Sequence, residues 1–534
     1  MIDWRRILLG LTVLMLLIPV VAVGSPEDVP GFLRFWIEDT EARLEALEER
    51  VANLEAAAPS STVTTNPSSE EPPNATSTTA ATTSTSHDDL TTSTSSDVSS
   101  TTTTHHHTTT MASDSTTTTG HSTTTHTTTH SSGETITGDA CPCMVTETTT
   151  LVGTINLKGD IMVDGGTLIA RPGVVVNGNG HQIMFMNGGN ADFQGTEVFT
   201  WSSNGSKMDL ERDILFDDLR RIMFHQGAGR STLRYFTIAN SGNADVIGDY
   251  PLHFHLNGDS TRGTLVEGVV VINGRHHAFV PHGSHGITFK DTIAYKTTDD
   301  AYWWDPVGTN DPPCGGGTIC KGIDNSNDIL FEHALAHTVH DSDSNRYAGF
   351  VLGAGTGNVI RNSAAVNITK GGASCSGFHW PEFPGGKGGG QPRVWVFQNN
   401  YSRSDHCSGI FVWQNSGDLH LIEDFVGGTI DHGAYSNGYH YRNPNVDRMT
   451  IHAAGTKVTG GHIKQLLAPR HRSETVPTFE LNNTTVDSFI IDNASNDGEV
   501  PGHYVLNGTG LTCLEIDYAS VVPGTRVTID GKDC

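Results

Sequence analysis

Residues 286–295 read GITFKDTIAY, which is a short β-prone run, a polar bend at Asp291 and a second short run. The same unit returns further along the chain with Asp, Asn or His at the bend. The repeats are DILFEHALAH at 328–337, NVIRNSAAVN at 358–367, VWVFQNNY at 394–401 and LHLIEDFV at 419–426. Repetition at an uneven spacing of about 25 to 40 residues is typical of a parallel β-helix, in which each coil is one turn. The sequence therefore predicts an all-β fold, a parallel β-helix that runs from about residue 145 to the C-terminus.

A β-sandwich is the competing fold, because it also uses short strands and Gly-rich turns. Sandwich strands alternate more cleanly between polar and apolar residues. They also do not repeat a unit of strand, bend and strand, so the repeats favour the β-helix.

The first residues have the composition of an export signal. Arg5 and Arg6 precede an apolar run at 7–23, and Ala22-Val23-Gly24 is a small-residue cleavage site. The run is also just long enough to span a membrane, although Pro19 favours cleavage. Residues 1–24 are therefore predicted to be a signal peptide or an uncleaved signal anchor, which makes the protein secreted or bound to the cell surface.

Two further segments precede the predicted β-helix. Residues 32–58 carry apolar residues, with Thr40 as the exception, at both core positions of about three heptads, which predicts a short coiled coil and a homo-oligomer. A lone amphipathic helix is the alternative. Residues 59–138 are almost entirely Thr, Ser, His, Asp and Pro, so they are predicted to be a disordered linker that cannot bury a core.

The charge of the chain restricts its partners. With 32 Lys and Arg against 59 Asp and Glu, the formal net charge is −27. This argues against a nucleic-acid or anionic-membrane binder, because both require a basic surface. An anionic polysaccharide would need a local basic groove or a bridging cation.

Eight cysteines in an exported chain are consistent with disulfides. Proximity along the chain suggests the pairs Cys314 with Cys320, Cys375 with Cys407, and Cys513 with Cys534. Cys141 and Cys143 are expected to pair elsewhere.

Residues 250–259 read YPLHFHLNGD and concentrate the candidate chemistry. On a β-strand, Leu252, Phe254 and Leu256 share one face, and His253 and His255 share the other. This pattern predicts a small polar platform on a strand with a buried back. A parallel strand from the next coil would bring some later histidines to about 5 Å from the pair. The later histidines are His276, His277, His282 and His285.

Several motifs resemble one family. They are DGGTLIA at 164–170, GVVV at 173–176, GNG at 178–180, YPLHFHL at 250–256 and VPHGSHG at 280–286. Over about residues 145 to 370 the chain resembles the eight-glycine domain joined to parallel β-helix repeats of the cell-migration-inducing hyaluronidase, the transmembrane hyaluronidase and the fibrocystin-like proteins. The resemblance implies a right-handed parallel β-helix, with an eight-glycine-like part at 145–265 and β-helix repeats at 266–534. It also implies an extracellular setting and glycan substrates.

The family motifs transfer to particular residues of this chain. His253, His255 and Asp259 match the first motif, and His282 with Gly283 matches the second. Where the hyaluronidases carry a Gly-His pair, two aromatics and an acid, residues 299–305 read DDAYWWD. Asp300 therefore replaces the family histidine. The difference argues against hyaluronan itself as the substrate, but a related glycan activity stays open.

These residues define the candidate site. His253, His255 and His282 can bind a divalent metal ion as neutral imidazoles. Histidine and carboxylate can also act as acid and base on a glycosidic bond, and the carboxylates to consider are Asp259, Asp300 and Asp305. Aromatic rings stack on sugars, although in a β-helix they can also fill the interior of a coil. The candidates are Tyr302, Trp303 and Trp304, followed by Trp380, Trp395 and Trp413. Alternatively, the histidines form a structural ladder that only bonds neighbouring coils.

Two functions follow. The first is an exported or surface-tethered enzyme that cleaves extracellular polysaccharide as a hydrolase or lyase. The second is a non-catalytic, adhesin-like stalk protein that binds glycans through exposed aromatics. The enzyme requires the histidines and an acidic residue to converge in a groove, whereas the glycan-binding protein does not.

We expect deletion of residues 25–58 to lower the oligomer size, because the heptad segment is the clearest assembly element in the sequence. Light scattering on the full chain and the deletion variant measures the two masses. Equal protomer numbers would contradict the prediction.

Overall fold

A computed structural model describes the chain from Thr128 onward, with gaps. The described ranges are 128–130, 133–303, 326–340, 347–353, 355–369, 375–380, 395–414, 420–435, 439–451, 456–469, 478–492 and 501–534. The predicted signal and coiled coil lie outside these ranges, as do Trp304, Asp305, Cys314, Cys320 and the side chains of Trp380 and Trp413. Within the described ranges, no helix has the length and apolar character that crossing a membrane requires.

The strands stack in three columns, and a coil in the middle of the ladder contributes one strand to each column. The first column contains Thr128–His130, Cys143–Val145, Ile161–Asp164, Gln182–Met186, Arg221–Phe224, Leu252–Gly258, Phe279–Ser284, Ala348–Val351, Ser376–Trp380 and Ser408–Gln414. Tyr302 joins Phe279–Ser284 to Ala348–Val351 by isolated bridges.

The second column contains Thr167–Ala170, Asn190–Gln194, Thr232–Arg234, Leu265–Glu267, Thr288–Lys290, Leu330–Glu332, Asn358–Arg361, Trp395–Gln398, His420–Glu423, Tyr439–Arg442, Thr456–Thr459, Thr478–Asn482, His503–Asn507 and Arg526–Ile529. The third contains Val175–Asn177, Leu215–Asp217, Thr237–Ala239, Val270–Ile272, Ile293–Tyr295, Leu335–His337, Ala364–Val366 and Tyr401–Arg403.

Longer strands extend across two columns near both ends. They are Glu134–Ala140, Thr148–Leu157, Val426–Tyr435, Asn445–Thr450, His462–Pro469 and Thr485–Asp492. Ile516–Ser520 pairs with the last of these, and Lys532–Asp533 returns antiparallel against Arg526–Ile529.

The core lies inside the coils, where inward residues stack on their equivalents. Phe185, Phe224 and Phe254 follow one another with ring centroids 4.5 and 4.7 Å apart. One continuous cluster of buried apolar side chains extends from Ile136 to Ile529. The parallel pairing from coil to coil confirms the predicted parallel β-helix. Its right-handedness stays a prediction.

The bends between the second and third columns use the left-handed backbone region. Asp291, His333, Asn362 and Asn399 have φ values of 55°, 52°, 53° and 50°. Asn and Asp enter this region at lower cost than most residues, because their short polar side chains bond locally. The repeated polar residue is therefore the corner of these coils, as the unit of strand, bend and strand predicts.

Regular structure begins earlier than the sequence suggests. Thr128–His130 and Glu134–Ala140 are strands, although the first lies in the predicted linker at 59–138 and the second begins in it. Glu134–Ala140 pairs with Thr148–Leu157, so a Thr-rich segment gains hydrogen bonds from the coil that follows it. The ladder also crosses residue 265 without a break, because Leu265–Glu267 pairs with strands on both sides. The eight-glycine-like part stays a prediction from resemblance.

Three disulfides are present among the described residues. Cys375 bonds to Cys407 and Cys513 bonds to Cys534, as predicted. Cys141 and Cys143 bond to each other, so the expectation that each pairs elsewhere is wrong. The three-residue CPC segment brings their sulfur atoms together locally, with Cα atoms 4.4 Å apart.

We expect Asn399→Val to destabilise the protein by about 1–2 kcal/mol, because a β-branched residue tolerates a positive φ poorly. Asn399→Gly is the matched control, since glycine accepts the bend and loses only the 2.7 Å hydrogen bond from Asn399 Nδ2 to Asn362 Oδ1. The melting temperature of the three proteins measures the effect. A Val variant that melts with the wild type would contradict a strained bend.

Candidate active site

Three histidines form a column on the outer face of the first strand column. Phe254 pairs with Phe224 in the preceding coil and with Pro281 in the following one. The residues that follow these three positions are His225, His255 and His282. The ring of His255 lies 5.5 Å from that of His225 and 5.0 Å from that of His282. The in-register ladder therefore stacks one imidazole on another through three coils.

His253 completes the cluster from the same strand as His255. Its ring centroid is 5.0 Å from that of His255 and 6.2 Å from that of His282. Leu252 and Phe254 point into the core, as the alternation predicts. Leu256 does not, because its φ of 53° and a register shift after His255 end the alternation.

The histidine cluster is more deeply buried than the polar platform that the sequence predicts. Only 1% of His253 and 8% of His282 is exposed, and His255 is half-buried. Burial lowers the pKa of His253 well below its ordinary value, and the neighbouring His255 and His282 lower it further. His253 is therefore a neutral imidazole at physiological pH.

The tautomer of His253 follows from its hydrogen bond. Its Nδ1 lies 3.1 Å from the carbonyl oxygen of Gly248. A carbonyl can only accept, so Nδ1 carries the proton and Nε2 carries a lone pair. Nε2 is buried and has no hydrogen-bond partner in the part of the chain that the structure describes. Ligand atoms of His253, His255 and His282 all lie within 4.8 Å of one another, which is the spacing of a metal site.

A partly buried ion pair holds the Gly248 carbonyl in place. Arg221 Nη1 donates to that carbonyl at 3.2 Å and lies 2.9 Å from Asp249 Oδ1. Arg221 Nε also donates to Gln182 Oε1 at 2.7 Å. Burial lowers the pKa of Arg221, while the carboxylate of Asp249 raises it. Arg221 and Asp249 thus fix the loop that orients His253, as groups around metal ligands commonly do.

A second cluster lies at the start of the same strands. The pairing of successive coils puts Tyr250, His277 and Asp300 at equivalent positions, with His276 and Asp299 one residue earlier. His276 Nδ1 lies 3.4 Å from Asp299 Oδ2, and His277 Nδ1 lies 3.6 Å from Asp300 Oδ2. Both histidines and both carboxylates are buried. The Tyr250 ring packs against His276 and His277.

The second cluster has the opposite tautomers. The backbone N–H of His277 donates to His276 Nδ1 at 3.0 Å, and that of Asp300 donates to His277 Nδ1 at 3.1 Å. An amide N–H can only donate, so each neutral ring carries its proton on Nε2. Burial, followed by the proximity of His276, lowers the pKa of His277 well below its ordinary value. Ligand atoms of His276, His277 and Asp299 lie within 4.8 Å of one another, but protonated Nε2 atoms are donors and do not bind a metal.

The aromatic candidates divide between core and surface. Tyr302 is fully buried and stacks between Phe279 and Phe350, so it is a core residue and the prediction that it binds substrate is wrong. Trp303 is half-buried on the outer face and stacks on His277 at 3.9 Å. Trp395 is also in the core, where its Nε1 donates to the Gly353 carbonyl.

The remaining candidates do not join the first cluster. Asp259 is 72% exposed and pairs with Arg262 at 2.8 Å, so it is a surface residue beyond the strand. His285 Nδ1 accepts the backbone N–H of Asn327. Asp300 belongs to the second cluster, where its Oδ1 accepts the backbone N–H of Ala348 at 2.6 Å.

The sequence analysis missed His225. Aligning the coils by register shows the signal, because residues 222–225 read IMFH, residues 252–255 read LHFH and residues 279–282 read FVPH. A histidine closes each motif. This repeat of histidine is visible only when the inward-facing residues of the three coils are aligned. The number of residues from His225 to His255 differs from the number from His255 to His282, so a fixed spacing does not reveal it.

Residues 221–305 of the 534-residue chain match the family model described as CEMIP beta-helix. This segment contains both clusters and Trp303, and it supports a likeness to the CEMIP-type β-helix. No curated protein matches the chain. The likeness to eight-glycine and fibrocystin-like proteins stays a prediction.

We expect histidine-ring NMR at about pH 6, below the ordinary imidazole pKa of about 6.5, to find His253 neutral with its proton on Nδ1. His277 is the internal control, since it should be neutral with its proton on Nε2. Signals are assigned with His253→Gln and His277→Gln. The same tautomer at both residues would contradict the hydrogen-bond assignment.

Proposed function

We propose that the chain is an exported or surface-tethered enzyme that cleaves extracellular polysaccharide, related to the hyaluronidase-like β-helix proteins, with a divalent metal ion on His253, His255 and His282. The observation that carries the proposal is the lone pair of His253 Nε2, which is buried beside two imidazoles and meets no donor among the described residues. A buried polar atom normally has a hydrogen-bond partner, so a buried nitrogen that lacks one calls for an explanation.

A transition ion of the zinc class suits these residues. Neutral imidazole nitrogen is its common ligand, and three protein ligands leave a position for water or substrate. Bound there, the ion would polarise a substrate oxygen and lower the pKa of a bound water. The hydrogen bond from His253 Nδ1 to the Gly248 carbonyl orients the imidazole so that Nε2 faces the metal position.

A metal at this cluster would also answer the charge problem. The chain carries a formal net charge of −27, which repels an anionic polysaccharide. The three ligands of the cluster are imidazoles, which carry no negative charge, so the ligands themselves do not neutralise a bound cation. The cation would therefore draw an anionic sugar chain to the one place where it is to be cleaved.

The remaining support comes from the CEMIP beta-helix match at 221–305 and from the disulfides, which are typical of extracellular proteins. Asp300 stands where the hyaluronidases carry histidine, so the proposal extends to glycans other than hyaluronan. Hydrolysis and elimination are both open to a cation beside a histidine that acts as general acid or base.

The test uses the full chain and a panel of neutral and uronate polysaccharides. New reducing ends measure cleavage, and unsaturated-uronate absorbance separates a lyase from a hydrolase. Metal content by mass spectrometry and activity after chelation and re-addition of zinc test the ion. Binding without new reducing ends would support the glycan-binding stalk instead, and a metal-free, inactive protein would overturn the proposal.

We expect His255→Ala to abolish bound metal and to lower activity by roughly 100-fold or more, with little change in melting temperature, because His255 is half-buried. His253→Ala should also lower the melting temperature, since its side chain is buried and packs on Tyr250. His462→Ala is the control, because that histidine is partly exposed and pairs with Asp487. A His255→Ala variant that keeps metal and activity would contradict the role of the cluster.

A further inference from the structure

We infer that a methionine patch on the outer face of the first strand column, made of Met144, Met162, Met184, Met186 and Met223, binds a soft monovalent cation, Cu(I), with Met184 at its centre. The inference goes beyond the proposed function, because it assigns an ion of different chemistry to residues that the first cluster does not use.

Parallel pairing brings the methionines together from four successive coils. Met144 pairs with Met162, Met162 with Met184, and Met184 with Met223. The residues before and after each of these four are buried in the core, so the methionines lie on the outer face. Met186 follows Met184 by two residues on the same strand and therefore shares that face. Five of the ten methionines of the chain thus concentrate in one patch.

The choice of sulfur at these positions calls for a reason beyond packing. Leucine or isoleucine would cover an outer apolar surface equally well. Contact between sulfur and aromatic rings often explains a methionine, but Phe185 and Phe224 of these coils point into the core and stack on each other. Thioether sulfur is a soft ligand that selects Cu(I) over harder ions. A run of in-register methionines therefore indicates a soft cation.

The ladder spacing suits shared coordination of one ion. In-register neighbours lie about 4.8 Å apart along the ladder. Two sulfur atoms on one ion lie roughly 4 Å apart, given metal–sulfur bonds of about 2.3 Å. A methionine side chain has three rotatable bonds, so it can make up the small difference. Met184 has a methionine on each side in the ladder and a third along its own strand, which gives one ion up to four thioethers.

The patch is partly open to solvent. Met162, Met184 and Met186 are half-buried, so an ion can reach them from outside, whereas Met223 is only 5% exposed. Thioethers are neutral and leave the charge of the ion in place. Asp164 pairs with Met186 in register, so a carboxylate lies at the edge of the patch. The formal net charge of −27 also favours a cation over an anion at this surface.

The methionine ladder ends at a nitrogen ligand. Met223 pairs with His253, whose Nε2 carries a lone pair and meets no hydrogen-bond donor among the described residues. Neutral imidazole also binds copper. The ladder thus offers sulfur from Met184 and Met223 and then nitrogen from His253, and all of these ligands are suitable for Cu(I).

The test titrates the full chain, labelled with ¹³C at the methionine methyl groups, with silver nitrate in chloride-free buffer. Ag(I) replaces the air-sensitive Cu(I), and a chelator buffers its free concentration so that histidines elsewhere do not deplete it. We expect the methyl signals of Met184 and its three methionine neighbours to shift at one common affinity. Met184→Leu should weaken silver binding at the neighbours by at least roughly tenfold. Zinc sulfate should leave Met162 and Met184 unshifted.

Met208→Leu is the matched control, because it removes an equally half-buried thioether that packs beside Trp201 instead. It should leave the affinity unchanged, and the buried Met449 should not shift. Leucine nearly conserves the volume of methionine, and the melting temperature checks that each variant folds. The site is overturned if silver does not shift the patch, if Met449 shifts as much, or if Met184→Leu binds silver as tightly as the wild type.

The silver site and the proposed function fail in different measurements. His255→Ala removes a ligand of the first cluster and should retain the silver-induced shifts of Met162 and Met184, since neither of these contributes to that cluster. Loss of the proposed function appears instead as missing zinc and missing cleavage of polysaccharide.

Discussion

The in-register parallel ladder is the constraint on which the rest of the structure depends. Each backbone pair places a residue beside its equivalent in the next coil, so a side-chain type repeated at one position becomes a continuous column. The phenylalanines inside the coils and the histidines outside them obey the same rule. Because the two strands pair in register, His255 and His282 lie side by side on adjacent strands. A rigid scaffold of this kind holds functional groups more accurately than loops do.

Loops nevertheless decide the chemistry of these columns. His253 has a defined tautomer because the loop before its strand presents the Gly248 carbonyl, which Arg221 also holds. His277 has the opposite tautomer because a backbone N–H from the following coil reaches its Nδ1. Two buried neutral histidines thus acquire different capacities, one as a lone-pair donor and one as a hydrogen-bond donor. Neighbouring backbone groups, rather than residue type, make this distinction.

The fold was accessible from sequence because its signal is local and repeated. A polar residue at a bend predicts a left-handed backbone conformation, and the positive φ values of Asp291 and Asn362 confirm this prediction. The candidate site was accessible only in part. Alternation located His253 and His255, but it could not reveal the positive φ of Leu256. Tyr302 was mistaken for a surface aromatic, and His225 was missed, because both depend on register between coils of unequal length. Tautomers depend on contacts between distant segments, which periodicity does not encode.

The C-terminal end of the ladder has a consequence for solubility. A stack of parallel strands ends in a row of unpaired backbone groups, and such an edge can recruit another chain and start aggregation. Here the final strand, Lys532–Asp533, reverses direction against Arg526–Ile529, and the Cys513–Cys534 bond ties the terminus down. The two-residue reversed strand is exposed and short, with a charged side chain at both positions. Where it covers Thr528 and Ile529, it gives an incoming strand little to extend, so this column of the ladder is protected against fibre-like growth.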